Sequence, residues 1–340
     1  MRRRLEMKTI YSAVVSSCLL ASALVSPSVN AEPAKPANYP NRPISLVVAY
    51  PAGGGMDITA RTLAAQMERV TGYQFRVENR GGGGGIVGNT YMATQAKADG
   101  YTVGILANPT LIMNILYKGA HFKKDDIEPI AGITFEPVIW ATRTNSSYGK
   151  MNFGQILDYA KKNPGKLKMG VIPNASFDIA TRIVSKQTGA KFTIVPFKGG
   201  KPALVALLGG NTDVSAIYYS EIAQYVKDGS MKPLAVADNK PLGEDPKLPT
   251  MKALNINMAS GTWGADRFAE VPKGTDKAIK EYLAHLIAKT LADKGTHEAF
   301  AKVRIELQPK SMAEQQQAYE ESYAAVHAYL KETGQLKASH

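Results

Sequence analysis

Two glycine-rich loops, each set between a β-branched run and an amphipathic helix, constrain this chain more than any other feature of its sequence. Ile44-Ser45-Leu46-Val47-Val48-Ala49 is a short apolar run. It leads through Tyr50-Pro51-Ala52-Gly53-Gly54-Gly55 into residues 57–70, where Ile58, Leu63, Ala64 and Met67 recur at helical spacing. The unit repeats: strand 74–77, a loop 78–85 ending in five consecutive glycines, helix 86–96, then strand 102–107, which leads through Asn108-Pro109 to helix 110–116. Such alternation predicts a parallel sheet with helices on its faces.

Residues 130–143 predict two further strands around Glu136-Pro137, after which the rhythm restarts. Helices are expected at 153–162, 176–188, 202–208 and 221–227, alternating with strands at 167–171, 192–195, 213–217 and 232–237. Past the proline-rich loop 241–249 come a strand-like 257–263 and long polar helices at 276–293 and 312–332. The predicted class is α/β with two lobes, each a mainly parallel sheet with helices on both faces. Residues 44–142 plus 263–340 would form a discontinuous first lobe and 143–262 the second, and strands crossing between them would leave a cleft.

A basic start (Arg2, Arg3, Arg4, Lys8), an apolar run over 10–25 and small residues before Glu32 read as a signal peptide over 1–31 that is cleaved near Ala31. A start at Met7 would serve equally, with Lys8 as its basic region. Cys18 is the sole cysteine and falls inside that segment, so the exported chain would hold no disulfide, Cys nucleophile or Cys-bound metal. A lipid anchor at Cys18 is disfavoured because the apolar run continues past it. Residues 32–43, with four prolines, form an extended leader. In 340 residues, 44% hydrophobic and 21% charged residues describe a globular protein. The formal charge of +12 is spread rather than blocked, which argues against nucleic acid and only mildly favours anionic ligands.

The glycine loops allow two mechanisms. Gly83-Gly84-Gly85-Ile86-Val87-Gly88 satisfies G-x-G-x-x-G, but it follows the second strand, and Asn108 stands where a ribose-binding acid is expected. The alternative is anion capture: glycines let a ligand approach the free N–H groups of a helix's first turn, whose dipole favours a carboxylate. Two such loops at the same end of adjacent parallel strands point into one crevice. His121, His285, His297, His327 and His340 lack partners at metal-ligand spacing, and no nucleophile or phosphate-loop motif is present, so neither metal nor cofactor is expected.

Tyr39-Pro40-Asn41-Arg42-Pro43-Ile44, Pro51-Ala52-Gly53-Gly54-Gly55-Met56-Asp57, Val77-Glu78-Asn79-Arg80 and Ala98-Asp99-Gly100-Tyr101-Thr102 recur in one order with Val195-Pro196-Phe197-Lys198-Gly199-Gly200 and Leu207-Leu208-Gly209-Gly210-Asn211-Thr212-Asp213. Together they resemble the Bug-type extracytoplasmic solute receptors of tripartite tricarboxylate transporters. The resemblance implies a type II periplasmic-binding-protein (Venus flytrap) fold, monomeric, that is not an enzyme. It also implies capture of a small dicarboxylate, other organic acid or aromatic acid between the lobes and delivery to membrane permease subunits. Carried over residue by residue, it assigns Ala52, Gly53, Gly54 and Asp57, then Gly84 and Gly85, to the proximal carboxylate, with Asn108 and Thr110 as a further loop. In the second lobe Asn174, Ser176 and Phe177 occupy a segment shorter than in relatives, while Asp213 and either Tyr218 or Tyr219 complete the lining.

Bland roles compete at each position. Asp57 could cap its helix instead of touching ligand. Arg80 could pair with Glu78 rather than with a carboxylate. Phe177 could be core or could stack on an aromatic acid. Asp213 could be a buried turn acid. An exported α/β enzyme acting on a small acid, or a sensing subunit for a membrane receptor, would use the same lobes. The exported protein is expected to begin at Glu32; N-terminal sequencing checks this, and a lipidated Cys18 at the terminus would contradict it.

Overall fold

The computed structural model describes residues 32–258 and 263–336, so the expected signal segment with Cys18, residues 259–262 and His340 lie outside the described residues. β1 (Ile44–Val48) is flanked by β2 (Phe75–Asn79) and β3 (Thr102–Asn108), both parallel to it. Helices α1 (Gly55–Thr71) and α2 (Ile86–Thr94) make the crossovers that parallel strands require, and α3 (Thr110–Leu116) follows β3. The second half repeats the arrangement. After α4 (Phe153–Lys162), β5 (Lys168–Val171) lies between β6 (Thr193–Pro196) and β7 (Val214–Tyr218), again parallel, connected by α5 (Ser176–Thr188) and α6 (Gly200–Leu208). α7 (Tyr219–Lys227) and β8 (Met231–Val236) follow.

β4 (Ile127–Arg143) and β9 (Gly264–Pro272) join the two halves, and the strand order is β2-β1-β3-β9-β4-β7-β5-β6. The order reads nearly the same from either end, with the crossing strands at its centre. The chain leaves the first sheet on β4 and returns on β9, so these two strands pair antiparallel, and β3 with β9 and β4 with β7 are antiparallel too. The parallel arrangement therefore holds within each triplet.

The two strands expected around Glu136-Pro137 are one strand. β4 pairs with β9 up to Pro137↔Gly264 and with β7 and β8 from the next residues on, so it changes neighbours without breaking. Bulges near Pro129 and between Gly132 and Thr134 absorb the irregularity that proline, lacking an N–H, introduces. The strand-like 257–263 is also displaced: the strand is β9, whose Asp266, Arg267 and Glu270 broke the apolar pattern that a strand search follows. Helices α8 (Lys277–Ala292) and α10 (Met312–Glu332) stand where expected, with α9 (Lys294–Lys302) and the edge strand β10 (Leu307–Lys310) between them. The cores follow the layers: Ile44, Leu46, Val48 and Leu63 pack with Leu283 and Ile287 of α8, while Trp140 stacks on Phe153 at 4.9 Å and donates to Thr181 at 3.1 Å.

One acid sits inside this core. Glu270 on β9 is fully buried with neither carboxylate oxygen partnered, opposite Gly104 of β3. A Cβ at Gly104 would lie 2.3 Å from Glu270 Oε1, so glycine there makes room for the acid. Burial, reinforced by the charge of Glu128, pushes the Glu270 carboxyl up to about 8. Because the folded form holds its proton longer than the unfolded one, the stabilisation is complete below about pH 4.5 and is lost as pH rises towards 8. Glu270→Gln should therefore match the wild type near pH 4 and exceed it increasingly up to pH 8, by on the order of 4 kcal/mol in denaturant unfolding.

Candidate functional site

The first loop is built around Asp57. Helix α1 begins at Gly55, two residues before the expected start, and the residue preceding it is Gly54, so Asp57 is the third helical residue rather than the cap. Its carboxylate turns back to accept from Gly53 N at 2.8 Å, while Arg61 Nε donates at 2.9 Å and Asn79 Nδ2 at 2.9 Å. Burial opposes ionisation, but these three donors outweigh it and hold the carboxyl below the usual range. Asp57 is thus a positioning residue: its oxygens hold the loop, and Ala52, Gly53 and Gly54 are left exposed. Gly53 has φ +83°, the left-handed conformation that glycine tolerates.

The second loop explains its own composition. Gly82, Gly83, Gly84 and Gly85 have φ of +146°, +58°, +66° and +92°, and four successive positive values are open only to glycine. The run is a backbone device that needs no dinucleotide. Asn114 Nδ2 donates to Gly84 O at 3.4 Å and Lys118 Nζ to Gly83 O at 3.1 Å, which brings a cation to the loop. Asn89 and the Tyr50 hydroxyl lie against Gly85. Burial pushes the Tyr50 hydroxyl up to about 12, and Thr110 is its hydrogen-bonding neighbour. Asn89 and Asn108 are buried with both amide atoms unpartnered, and Asn114 Oδ1 is unpartnered as well. Buried polar groups are ordinarily satisfied, so these asparagines, Asn108 at the end of β3, Asn89 in α2 and Asn114 in α3, mark a place built for something polar. Arg80, by contrast, pairs with Glu78 at 2.5 Å and stacks on Tyr91.

The β5–α5 connection repeats the first loop. Asp178 is the third residue of α5, accepts from Asn174 N at 3.1 Å and from Arg182 Nε at 2.7 Å, and Asn174 is left-handed at φ +57°. Asn174, Asp178 and Arg182 thus correspond to Gly53, Asp57 and Arg61; asparagine is the residue after glycine that best tolerates this conformation. Ser176 Oγ lies 3.3 Å from the Tyr218 hydroxyl, and the buried Phe177 ring packs on Tyr218 with centroids 4.5 Å apart. Tyr219 begins α7 and so leaves the strand, which makes Tyr218 the tyrosine on this wall.

Asp213 does not join them. It precedes β7, where its carboxylate accepts from Lys168 N at 2.8 Å, at the start of β5. Tyr218 is five residues on, roughly 16 Å along the strand. Asp213 ties β7 to β5 at the opposite end from the glycine loops.

The crossing strands supply groups that the sequence reading missed. Arg267 of β9 is 1% exposed, pairs with Glu136 Oε2 of β4 at 2.8 Å and lies 5.5 Å from the Tyr218 ring centroid. A Cβ at Gly55 would be 3.2 Å from Arg267 Nη2, and the other Glu136 oxygen accepts from Ser220 N at 3.2 Å. Arg267 therefore touches the start of α1, and Glu136 the start of α7. Glu221, next to Ser220, accepts from Tyr218 N at 3.3 Å. A lone arginine within Trp263-Gly264-Ala265-Asp266-Arg267-Phe268-Ala269 was the only signal available.

The profile of the Tripartite tricarboxylate transporter family receptor matches residues 59–334. The chain belongs to this family. Protein BugT of Bordetella pertussis is 29% identical over 296 residues, covering 84% of this chain and 86% of that one. The UPF0065 protein in the gbd 5′ region of Cupriavidus necator is 31% identical over 291 residues, 82% and 83% of the two chains. Among solved structures, periplasmic binding protein BugD superposes with a TM-score of 0.77 at 27% identity, covering 88% of this chain and 100% of BugD. An R. palustris protein solved with adipate gives 0.78 at 25% identity, covering 87% and 99%. The fold is thus the two-lobed periplasmic-binding-protein fold, and the chain is a solute-binding receptor of this family rather than an enzyme.

The clamp on Gly53 predicts that Asp57→Ala leaves a loop amide and Arg61 without their acceptor and costs about 2 kcal/mol in chemical denaturation. Asp57→Asn should cost less, because an amide oxygen still accepts.

Proposed function

We propose that this receptor captures a small organic carboxylate between the β1–β3 and β5–β7 lobes, closes over it and delivers it to membrane permease subunits. It would act in the periplasm after loss of residues 1–31. The first lobe would comprise residues 44–142 and 263–340, and the second 143–262. In this reading the carboxylate meets the exposed backbone of 52–55 and 81–85, with Thr110 and the amides of Asn89 and Asn108 beside it. Asn174, Ser176, Phe177 and Tyr218 then test the rest of the molecule from the other wall. Closure follows because a ligand that touches both walls gains more contacts in the closed form than in the open one.

The observation that carries this reading is the second loop: four successive left-handed glycines beside buried asparagine amides without partners. A carboxylate offers acceptors to backbone and amide donors, and Lys118 and the chain's positive charge favour an anion. The relative solved with adipate supports an organic acid.

Thermal unfolding of the chain from Glu32 onward against mono-, di- and tricarboxylates, aromatic acids and amino acids tests it, with NAD and ATP as controls. A true ligand at about 100 times its Kd adds roughly 2.7 kcal/mol. A shift with nucleotides and none with acids would overturn the reading. Asn108→Leu should keep or raise the melting temperature of the free protein, by removing an unsatisfied buried amide, and weaken acid binding about tenfold.

A further inference from the structure

We propose that Glu136 and Arg267 form a latch across the point where the two lobes join: they are positioning residues that hold the lobes in the arrangement seen here and act on ligand affinity without touching ligand. This rests on the receptor reading only in taking closure as the motion that matters, and its test reads the free protein.

The pair belongs to the first sheet. Arg267 stands opposite Thr134 in the register of β9 on β4 and Glu136 opposite Ala265, so the two side chains are diagonal neighbours on one face. Arg267 Nη2 donates to Glu136 Oε2 at 2.8 Å and lies 3.2 Å from where a Cβ of Gly55, the first residue of α1, would stand. These partners all come before β4 changes neighbours.

What the pair reaches next lies beyond that point. From Val138 on, β4 pairs with β7, Val138 standing opposite Tyr218. The other Glu136 oxygen accepts from Ser220 N at 3.2 Å, in the first turn of α7, where N–H groups have no acceptor within the helix and the dipole favours an anion. The guanidinium carbon of Arg267 lies 5.5 Å from the centre of the Tyr218 ring. A rotation between the lobes about Pro137 and Val138 leaves the Arg267–Glu136 bond intact and makes or breaks these two contacts. Both side chains are buried, at 1% and 8% exposure, so water does not take the place of a partner that turns away, and the contact on Ser220 holds one angle rather than a range. Without it the lobes range more widely, and a ligand that bridges the walls binds more weakly by the fraction of time they spend apart.

Removing one charge alone would leave the other buried and unpaired, so the informative variant replaces both, Glu136→Leu with Arg267→Met. Spin labels at Ala65→Cys of α1 and Gln224→Cys of α7, both exposed, report the distance between lobes by double electron–electron resonance in the chain from Glu32 onward, which holds no cysteine of its own. Labels at Ala65→Cys and Lys97→Cys, within the first lobe, serve as the reference. The double variant should melt close to the wild type and broaden the inter-lobe distribution about twofold, with the reference distribution unchanged. Glu136→Gln, which keeps the shape of the side chain and one acceptor oxygen, should broaden it less, and it decides the matter where the double variant does not fold. An inter-lobe distribution as narrow as the wild type's in a folded variant, or a reference pair that broadens equally, would overturn the proposal. No ligand is added, so that result would leave the receptor reading standing, and a receptor that bound no acid would leave this one unchanged.

Discussion

The architecture depends on β4 running unbroken through two sheets. A strand that changes neighbours at Pro137 and Val138 must satisfy its backbone on both sides of that point, and it does so with β9 before and with β7 and β8 after. Glu136, one residue before the change, therefore lies where both halves meet. Its carboxylate is shared between Arg267 of the returning strand and the first turn of α7. A buried ion pair is a poor source of net stability, since desolvation offsets most of the attraction. Its value here is geometric: one interaction fixes the start of α1, the start of α7 and the ring of Tyr218 relative to the crossing strands.

The repeated aspartate clamp gives the walls their common form. Asp57 and Asp178 each stand third in a helix, each hold a left-handed residue four positions earlier through its amide, and each are held by an arginine four positions later. Both carboxylates are buried and both arginines are half-exposed. The palindromic strand order places these two clamps at equivalent points of the two sheets. The walls differ in what surrounds the shared turn. The first adds a glycine run, asparagine amides and a lysine, so it is rich in donors; the second adds Ser176, Phe177 and Tyr218, so it offers shape and hydroxyls.

Much of this was legible in the sequence because it is local. Hydrophobic period and glycine position located α3, α4, α5 and α10 to the residue, and the glycine loops pointed to one end of the sheet. The rest failed where the deciding partner is distant in sequence. Glu136-Pro137 looked like a break because nothing nearby reveals that β9 and β7 exchange places beside it. β9 was missed because Arg267 and Glu270 are charged, and their neutralisation or burial depends on Glu136 and Gly104 in other strands. Asp213 was assigned to the lining by the resemblance of its Gly-Gly-x-x-Asp motif, whereas the structure sets it at the start of β7 on Lys168 N, an extended strand away from Tyr218.

The distribution of charge then separates affinity from selectivity. The chain's excess of lysine and arginine acts over long range and is screened by salt, so it raises the encounter rate of any anion without choosing among them. In the proposed binding mode the backbone amides at the glycine loops would meet any carboxylate alike, since they read only an oxygen with negative charge. Choice requires groups that meet the rest of the ligand, and in the proposed binding mode these would be Ser176, Phe177 and Tyr218 of the other wall. Such a division leaves the loops, clamps and crossing strands free to stay the same while the ligand changes. On that reading a few side chains beside Tyr218 would suffice to redirect the receptor, because every other contact would depend on the part that all organic acids share.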